Sequence, residues 1–283
     1  LHSAIAKKVE AFKDIIKIGR THTQDATPLT LGQEFSAYLQ QVDNHIHHLE
    51  YASKYVYKLA QGGTAVGTGL NTTEGFDKDM AKAIAEETGL PFETAENKFE
   101  ALATKDALAN FHGVLNSFAT SLYKIASDVL LLSGELKELV ISHPDACEET
   151  KLNCVQVMGN QTAVTVGNMH GHFELNVFKP LIVSNVLKSM ELLTNSCSVL
   201  TGLFDEVAPN KEEISKLMTR SLMLVTALNP YIGYHNAAKI AKYAHKNHLT
   251  LKEAAVKLEI LNEQQVEEYI KPENMVAPSK PKK

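Results

Sequence analysis

Three long stretches of apolar residues at helical spacing dictate what this chain of 283 residues can fold into. Leu31 to Leu59 carries Leu31, Phe35, Tyr38, Leu39, Val42, Ile46, Leu49, Val56 and Leu59, in steps of three, four and seven. A second run begins at Thr94 and reaches about Leu132, with Leu102, Leu108, Phe111, Leu115, Phe118, Leu122, Ile125 and Val129 as its stripe. The third, Phe173 to Leu203, uses Leu175, Phe178, Ile182, Val186, Met190 and Leu193, and Pro180 is expected to kink it. Runs of this length exceed the usual globular helix and bury their stripes best against one another. The expected fold class is therefore all-α, with long central helices forming a bundle. From about Asn210 the pattern shortens: Ile214 to Thr226, Ala237 to His245, a capping box at Thr250-Leu251-Lys252-Glu253, and Asn262 to Tyr269. Two domains are expected, a central long-helix domain over 1–210 and a small C-terminal helical domain over 211–283.

Totals narrow the function classes. Hydrophobic residues make up 44% and charged residues 22%, a balance able to build a globular core. Net charge is −5, and the one basic block is the terminal Lys280-Pro281-Lys282-Lys283, expected to be a solvated end. Nucleic acid is thus an unsuitable partner. No apolar run reaches membrane-spanning length, and the first residues lack the basic-then-apolar pattern of a signal peptide. Helical spacing is already under way at Ala4-Ile5, with only a poorly placed Ser3 as a cap, which predicts a chain that begins inside a larger protein. Cys147, Cys154 and Cys197 make no disulfide framework; reduced thiols in an intracellular compartment are expected.

Chemistry concentrates around His22. An apolar, β-prone run, Ile15-Ile16-Lys17-Ile18, leads into Gly19-Arg20-Thr21-His22-Thr23-Gln24-Asp25, and Pro28 precedes the first long helix. A loop histidine ordinarily bonds backbone in a turn. Here two hydroxyls, an amide and a carboxylate crowd within three residues of it, more hydrogen-bonding groups than a turn requires. His45, His47 and His48 fall within the first long run. The 45/48 pair has the spacing to share a metal, but no carboxylate–histidine signature accompanies it, and an exposed polar face is expected. Gly62-Gly63-Thr64-Ala65-Val66-Gly67-Thr68-Gly69 suits either close packing or an anion cradle; it is neither a P-loop nor a dinucleotide fingerprint.

Taken together, Gly19–Glu34, Gly62–Asn71, Asn97–Ala103, Gln156–Asn160, Gly171–Pro180 and Ser221–Gly233 closely resemble class II fumarase, of the fumarase/aspartase superfamily. The run Gly171-His172-Phe173-Glu174-Leu175-Asn176-Val177-Phe178-Lys179-Pro180 is the most specific of these. An argininosuccinate- or adenylosuccinate-lyase reading shares the fold, but the Thr21–Asp25 loop and this run look like fumarase. The resemblance implies a homotetramer with shared active sites and reversible hydration of fumarate to L-malate, a tricarboxylic acid cycle step, without metal or organic cofactor. It implies that His22 is the catalytic histidine, Thr21 a substrate-binding neighbour, and Glu148 the carboxylate that pairs with His22. It further implies a mitochondrial or cytoplasmic compartment and a small dicarboxylate as substrate, while charge and hydropathy leave no expected role for nucleic acid or membrane. A carboxylate beside the imidazole would fix its tautomer and strengthen it as a base toward water.

The resemblance breaks at Lys105, where many relatives carry a histidine, and more extensively in the segment before Pro144. The family's Gly-Ser-Ser-x-Met-Pro-x-Lys-x-Asn loop should precede Pro144, supplying a second catalytic group and two substrate contacts. This chain reads Glu135-Leu136-Lys137-Glu138-Leu139-Val140-Ile141-Ser142-His143-Pro144, with Ile141 in place of the lysine and His143 in place of the asparagine. The family's N-terminal domain has no counterpart in the sequence either. Each oxyanion-type donor is worth roughly 3–4 kcal/mol in the transition state, so the polypeptide by itself is expected to be a poor catalyst. The alternative expectation is a catalytically inactive, truncated fumarase-like scaffold that oligomerises with itself or with an intact fumarase.

Overall fold

The computed structural model describes residues 1–278; the basic tail Lys280–Lys283 lies outside the described residues. In chain order the elements are α1 (His2–Ala11), β1 (Ile16–Thr21), β2 (Gln24–Thr30), α2 (Leu31–Val56), β3 (Lys58–Leu59), α3 (Phe76–Thr88), β4 (Glu93–Thr94), α4 (Lys98–Ala103), α5 (Asp106–Leu130), β5 (Leu139–Val140), α6 (Asp145–Met169), β6 (Gly171–His172), β7 (Leu175–Asn176), α7 (Lys179–Glu206), β8 (Ala208–Pro209), α8 (Lys211–Arg220), α9 (Asn229–Asn247), α10 (Leu251–Lys257) and α11 (Glu263–Tyr269). One π-type turn, Leu131–Glu135, follows α5, and a 3₁₀ segment, Leu222–Leu228, precedes α9. The long-helix, all-α architecture expected from the apolar periodicity is present.

Local chemistry explains where the helices stop. α3 ends at Gly89, which adopts φ 68 and donates its N–H to the Ala85 carbonyl, a left-handed cap that glycine makes without steric cost. The expected run from Thr94 to Leu132 is two helices. Its apolar spacing continues across Thr104-Lys105-Asp106, but there Thr104 Oγ1 donates to Asp106 Oδ1 at 2.6 Å and Lys105 Nζ donates to the Ala101 and Thr104 carbonyls at 2.6 and 2.8 Å. These side chains close one helix and open the next. The expected helix from Phe173 begins only at Lys179, because 171–176 forms the β6–β7 hairpin. Pro180 therefore sits in the first turn, where its missing N–H costs nothing, and not in a kink. The expected helix over Ile214–Thr226 ends at Arg220 and gives way to the 3₁₀ segment. Between that segment and the helix expected at Ala237, Asn229–Tyr234 is helical except at Gly233, whose φ of 76 and ψ of 160 interrupt α9.

The chain forms two compact units, each assembled from separated segments. The first gathers 1–2, 40–130 and 143–205. Its centre is the packing of α5 on α6, with Leu122, Ile125, Ala126 and Val129 of α5 and Cys154, Val157 and Val164 of α6 buried. A polar seam runs through this apolar core. His112 is fully buried; its Nδ1 lies 2.7 Å from Gln161 Oε1 and its Nε2 2.7 Å from Ser189 Oγ, which also accepts from Asn160 Nδ2 at 3.0 Å. Gln161 Oε1 can only accept, so His112 carries its proton on Nδ1. His45 is buried as well, 3.0 Å from Ser121 Oγ, while His47 and His48 are exposed. The expected exposed face thus holds for two of the three histidines. Burial pushes the Cys147 thiol up to about 11 and Cys154 up to about 12, so neither is a ready nucleophile.

The second unit gathers 3–39, 131–142 and 206–283. Its core joins Ile18 of β1 to Leu224, Leu228, Ala237, Ile240, Ala244, Leu251, Ala254 and Val266 of the C-terminal helices. The capping box expected at Thr250 is formed, and Asn262 with Gln265 makes another. The C-terminal helices accordingly share their core with the strand that leads to His22.

Burial holds the imidazoles of His112 and His45 below their ordinary range, with His48 adding repulsion at His45. A histidine with a lowered folded value favours the neutral form, so the unfolded chain takes up protons first as pH falls. Stability should be nearly flat between about pH 7.5 and pH 8 and should decline as pH drops through the unfolded histidine value of roughly 6.5. Urea denaturation between pH 8 and pH 5 measures this, and His112→Gln should flatten the slope.

Candidate active site

The residue singled out from sequence, His22, stands at the tip of the β1–β2 hairpin. The register pairs Arg20 with Asp25 and Thr21 with Gln24, leaving His22 and Thr23 as a two-residue turn. Both have positive φ, 51 and 65, the signature of the hairpin turn whose twist matches the flanking strands. For a β-branched threonine this is a strained conformation. Thr23 Oγ1 donates to the His22 carbonyl at 2.6 Å, and both side chains are exposed. Lower down, the register slips between Ile18 and Arg20. Gly19 permits this bulge: a Cβ there would lie 2.6 Å from the Thr27 carbonyl oxygen.

The hairpin runs directly into α2 through Thr30-Leu31-Gly32-Gln33-Glu34, and each residue of that sequence has a physical task. Thr30 Oγ1 accepts from Gln33 N at 3.0 Å while Gln33 Oε1 accepts from Thr30 N at 2.8 Å, a reciprocal capping box. Leu31 is buried. Gly32 lies against the end of α1, where a Cβ would come within 2.7 Å of Lys13 Cα and of the Val9 carbonyl oxygen. Glu34 reaches back to the hairpin, its two oxygens 2.8 and 3.1 Å from Lys17 Nζ.

Lys17 is the centre of a charge cluster that sequence reasoning missed. Both Lys17 and Glu138 are fully buried. Lys17 Nζ lies 3.0 Å from Glu138 Oε2, an ion contact off the hydrogen-bonding axis, so that oxygen has no aligned donor among the described residues. Arg20 Nη1 donates to Glu138 Oε1 at 2.9 Å, and Arg20 Nε lies 3.3 Å from Asp25 Oδ1. Two cations thus face two interior carboxylates, with Asp25 at the rim. One signal for this was present in the sequence: a lysine inside the run Ile15-Ile16-Lys17-Ile18 must be paired if that run is buried.

Glu148 lies in the first turn of α6, in the first unit, with Asp145 beside it, where carboxylates complement the helix N-terminus. It is exposed and has no side-chain partner among the described residues. The structure therefore brings Thr21 and His22 together on one hairpin and sets Glu148 on a separate unit. In the segment before α6, Leu139 and Val140 pair with Pro209 and Ala208, and His143 is exposed.

The glycine-rich loop has a packing explanation. Gly62, Gly67, Gly69 and Gly75 all have positive φ, and a Cβ would lie 2.5 Å from Asp77 Cβ at Gly62 and 2.7 Å from the Phe99 ring at Gly67. The loop borders a polar pocket of about 310 Å³ that includes Thr68, Thr73, Glu74, Asp77 and Lys98. Lys98 Nζ donates to the Leu59 carbonyl at 2.9 Å and lies 3.6 Å from Asp77. The Thr94 hydroxyl holds the Asp77 carboxyl below the usual carboxylate range. Among the described residues no group of three or more His, Cys, Asp or Glu side chains is placed to hold a metal ion, and no helix is long and apolar enough to cross a membrane.

Comparison with known proteins gives a consistent picture. A lyase family profile matches residues 1–159, and a fumarase C C-terminal profile matches residues 224–277. The chain is 54% identical to the mitochondrial fumarate hydratase of Danio rerio, covering 98% of this chain and 58% of that protein. It is 50% identical to a class II fumarate hydratase of Pasteurella multocida, covering 98% and 63%. A crystal structure of class II fumarase from Schistosoma mansoni superposes with a TM-score of 0.92 at 36% identity, covering 97% of this chain and 64% of that one. The chain thus spans about three fifths of the length of the curated relatives it matches. The match to the Danio protein extends over 302 aligned positions, more than the 283 residues here, so the relative carries residues without a counterpart inside the matched span.

Replacing Thr23 by glycine should relieve the left-handed strain at the turn. Thr23→Gly is expected to stabilise the protein by about 1 kcal/mol in urea denaturation. A clear loss of stability would show that the turn is not strained.

Proposed function

Because this chain belongs to the fumarase family of lyases, we propose that it serves the reversible hydration of fumarate to L-malate, with His22 as the base that activates water. In the forward direction His22 takes a proton from water, the water oxygen bonds to one alkene carbon, and the displaced π electrons move toward the far carboxylate. The adjacent carbon then takes a proton from an acid. Charge builds on that carboxylate, so fixed donors matter most there. Thr21, one residue from the imidazole, is suited to hold a substrate carboxylate through its hydroxyl. Glu148 is proposed to orient the imidazole and stabilise the imidazolium that forms.

The observation that carries this reading is the His22 turn itself. A histidine is held exposed on a strained two-residue turn, over a base fixed by a bulge, a capping box and buried ion pairs. A histidine serving only as a solvated loop residue needs none of that support. The substrate is a small dicarboxylate; no cofactor is assigned, and a mitochondrial or cytoplasmic compartment fits the relatives.

A second reading has its own observation. Residues 135–144 contain no Ser-Ser pair, no lysine at position 141 and no asparagine at position 143, so the group that protonates carbon is unassigned in this chain. A scaffold that assembles with itself or with an intact fumarase is compatible with that deficit. The proposed assembly is a homotetramer with shared sites. In the first unit Leu152 and Met169 of α6, Phe173 of the β6–β7 hairpin, Val177 after it and Leu187 of α7 are exposed large apolar side chains, and a subunit interface would cover them.

Loss of fumarate absorbance in the ultraviolet tests the activity. The protein at high concentration should consume fumarate slowly, and His22→Asn should lower the rate by at least about 100-fold. No consumption by the unmodified protein would remove the hydratase reading. Light-scattering mass would then decide the scaffold reading: a multiple of the chain mass, or a mixed species with intact fumarase, supports it, and a monomer under both conditions rejects it.

A further inference from the structure

The second unit contains one group whose position the proposed chemistry does not yet use, the buried carboxylate of Glu138. Its main chain is fixed at both ends: its N–H donates to the Leu132 carbonyl at 2.7 Å, and its carbonyl accepts from Asn210 N at 2.8 Å. Its side chain then reaches across to the hairpin, with Oε1 2.9 Å from Arg20 Nη1 and Oε2 3.0 Å from Lys17 Nζ. Arg20 is two residues before His22 and Lys17 five before it, on the same strand. Arg20 also touches Asp25 on the returning strand, so the contact braces both sides of the turn. We propose that Glu138 is a positioning residue for His22, a buried anion that holds the strained hairpin tip in its working geometry.

Alternative accounts of this carboxylate are weaker. As a catalytic acid or base it would need access to substrate, and its side chain has none. As a source of stability it is a poor choice, since a buried ion pair seldom exceeds a well-packed apolar replacement. Holding a strand residue from a distant chain segment is what this carboxylate does better than an aliphatic contact, because the charge-assisted hydrogen bond from Arg20 Nη1 to Glu138 Oε1 fixes a direction as well as a distance. The bulge at Gly19 interrupts the ladder below the two pairs that close the turn, Arg20 with Asp25 and Thr21 with Gln24, and a brace at Arg20 acts just past that interruption.

This proposal rests on the reading of His22 as the base, and two independent measurements on the full chain separate them. In Glu138→Gln, amide hydrogen exchange over residues 16–30 should rise by about tenfold or more, while α9 and α10 keep their protection. In fumarate hydration kcat should fall by about tenfold or more with KM within about twofold, and Glu138→Asp should recover part of the loss. If Glu138→Gln fails to fold, Arg20→Gln, which leaves Glu138 paired with Lys17, should give the same hairpin-limited exchange. Unchanged hairpin exchange in the folded variant would overturn the proposal, and so would a rise spread evenly over the whole unit. Absence of hydration in the unmodified protein would count against the His22 reading alone, since the exchange result still decides the role of Glu138.

Discussion

Two buried cations between two buried or nearly buried carboxylates are the constraint on which the rest of this structure leans. Lys17 and Glu138 are fully enclosed, and Arg20 and Glu34 are close to it. Removing either fully buried charge, Lys17 or Glu138, leaves an uncompensated charge in a medium of low polarity, at a cost of about 3–5 kcal/mol. The four charges cancel, so burial is tolerable only as a set. That set joins β1, the start of α2 and the segment ending at Glu138, pieces of chain that are far apart in sequence but belong to one unit. The hairpin tip with His22 is thereby supported from beneath while its side chain stays open to solvent.

Much of the fold was legible because apolar spacing reports helices well. The stripe from Leu31 onward, the αL glycine after α3 and the capping box at Thr250 all appear as residue patterns with one structural solution. The failures have equally local causes. At Thr104-Lys105 the apolar period runs on while side-chain hydrogen bonds cut the helix, so periodicity alone does not see the break. Pro180 breaks a helix interior but suits a first turn, and its effect depends on where the helix starts. β2 is mostly polar, contains Pro28 and carries no Asn-Gly turn signal, so it reads as loop until paired with β1.

The candidate site divides along the same line. His22 and Thr21 were visible from the density of polar groups around one imidazole. Glu138 was hidden inside what reads as a charged patch, Glu135-Leu136-Lys137-Glu138, because burial there is decided by Lys17 and Arg20 more than a hundred residues earlier. His45 was hidden for a similar reason: three nearby histidines look alike in sequence, and only the helix face distinguishes the one that meets Ser121. The polar seam of His112, Gln161, Asn160 and Ser189 shows the same principle inside the first unit, where these side chains meet partners from another helix.

The proposed chemistry follows from family membership, and residues 135–144 set its limit. A dianion undergoing hydration needs a base at the water, an acid at the neighbouring carbon and fixed donors at the carboxylates. This chain provides the imidazole and a nearby hydroxyl on one well-supported hairpin and a free carboxylate at the start of α6. Whether the imidazole and that carboxylate act as one unit is the core of the account. A double-mutant cycle on the hydration rate measures it most directly, using His22→Asn, Glu148→Gln and the pair. The account predicts that the double variant is no slower than His22→Asn alone. Losses that simply multiply would contradict it.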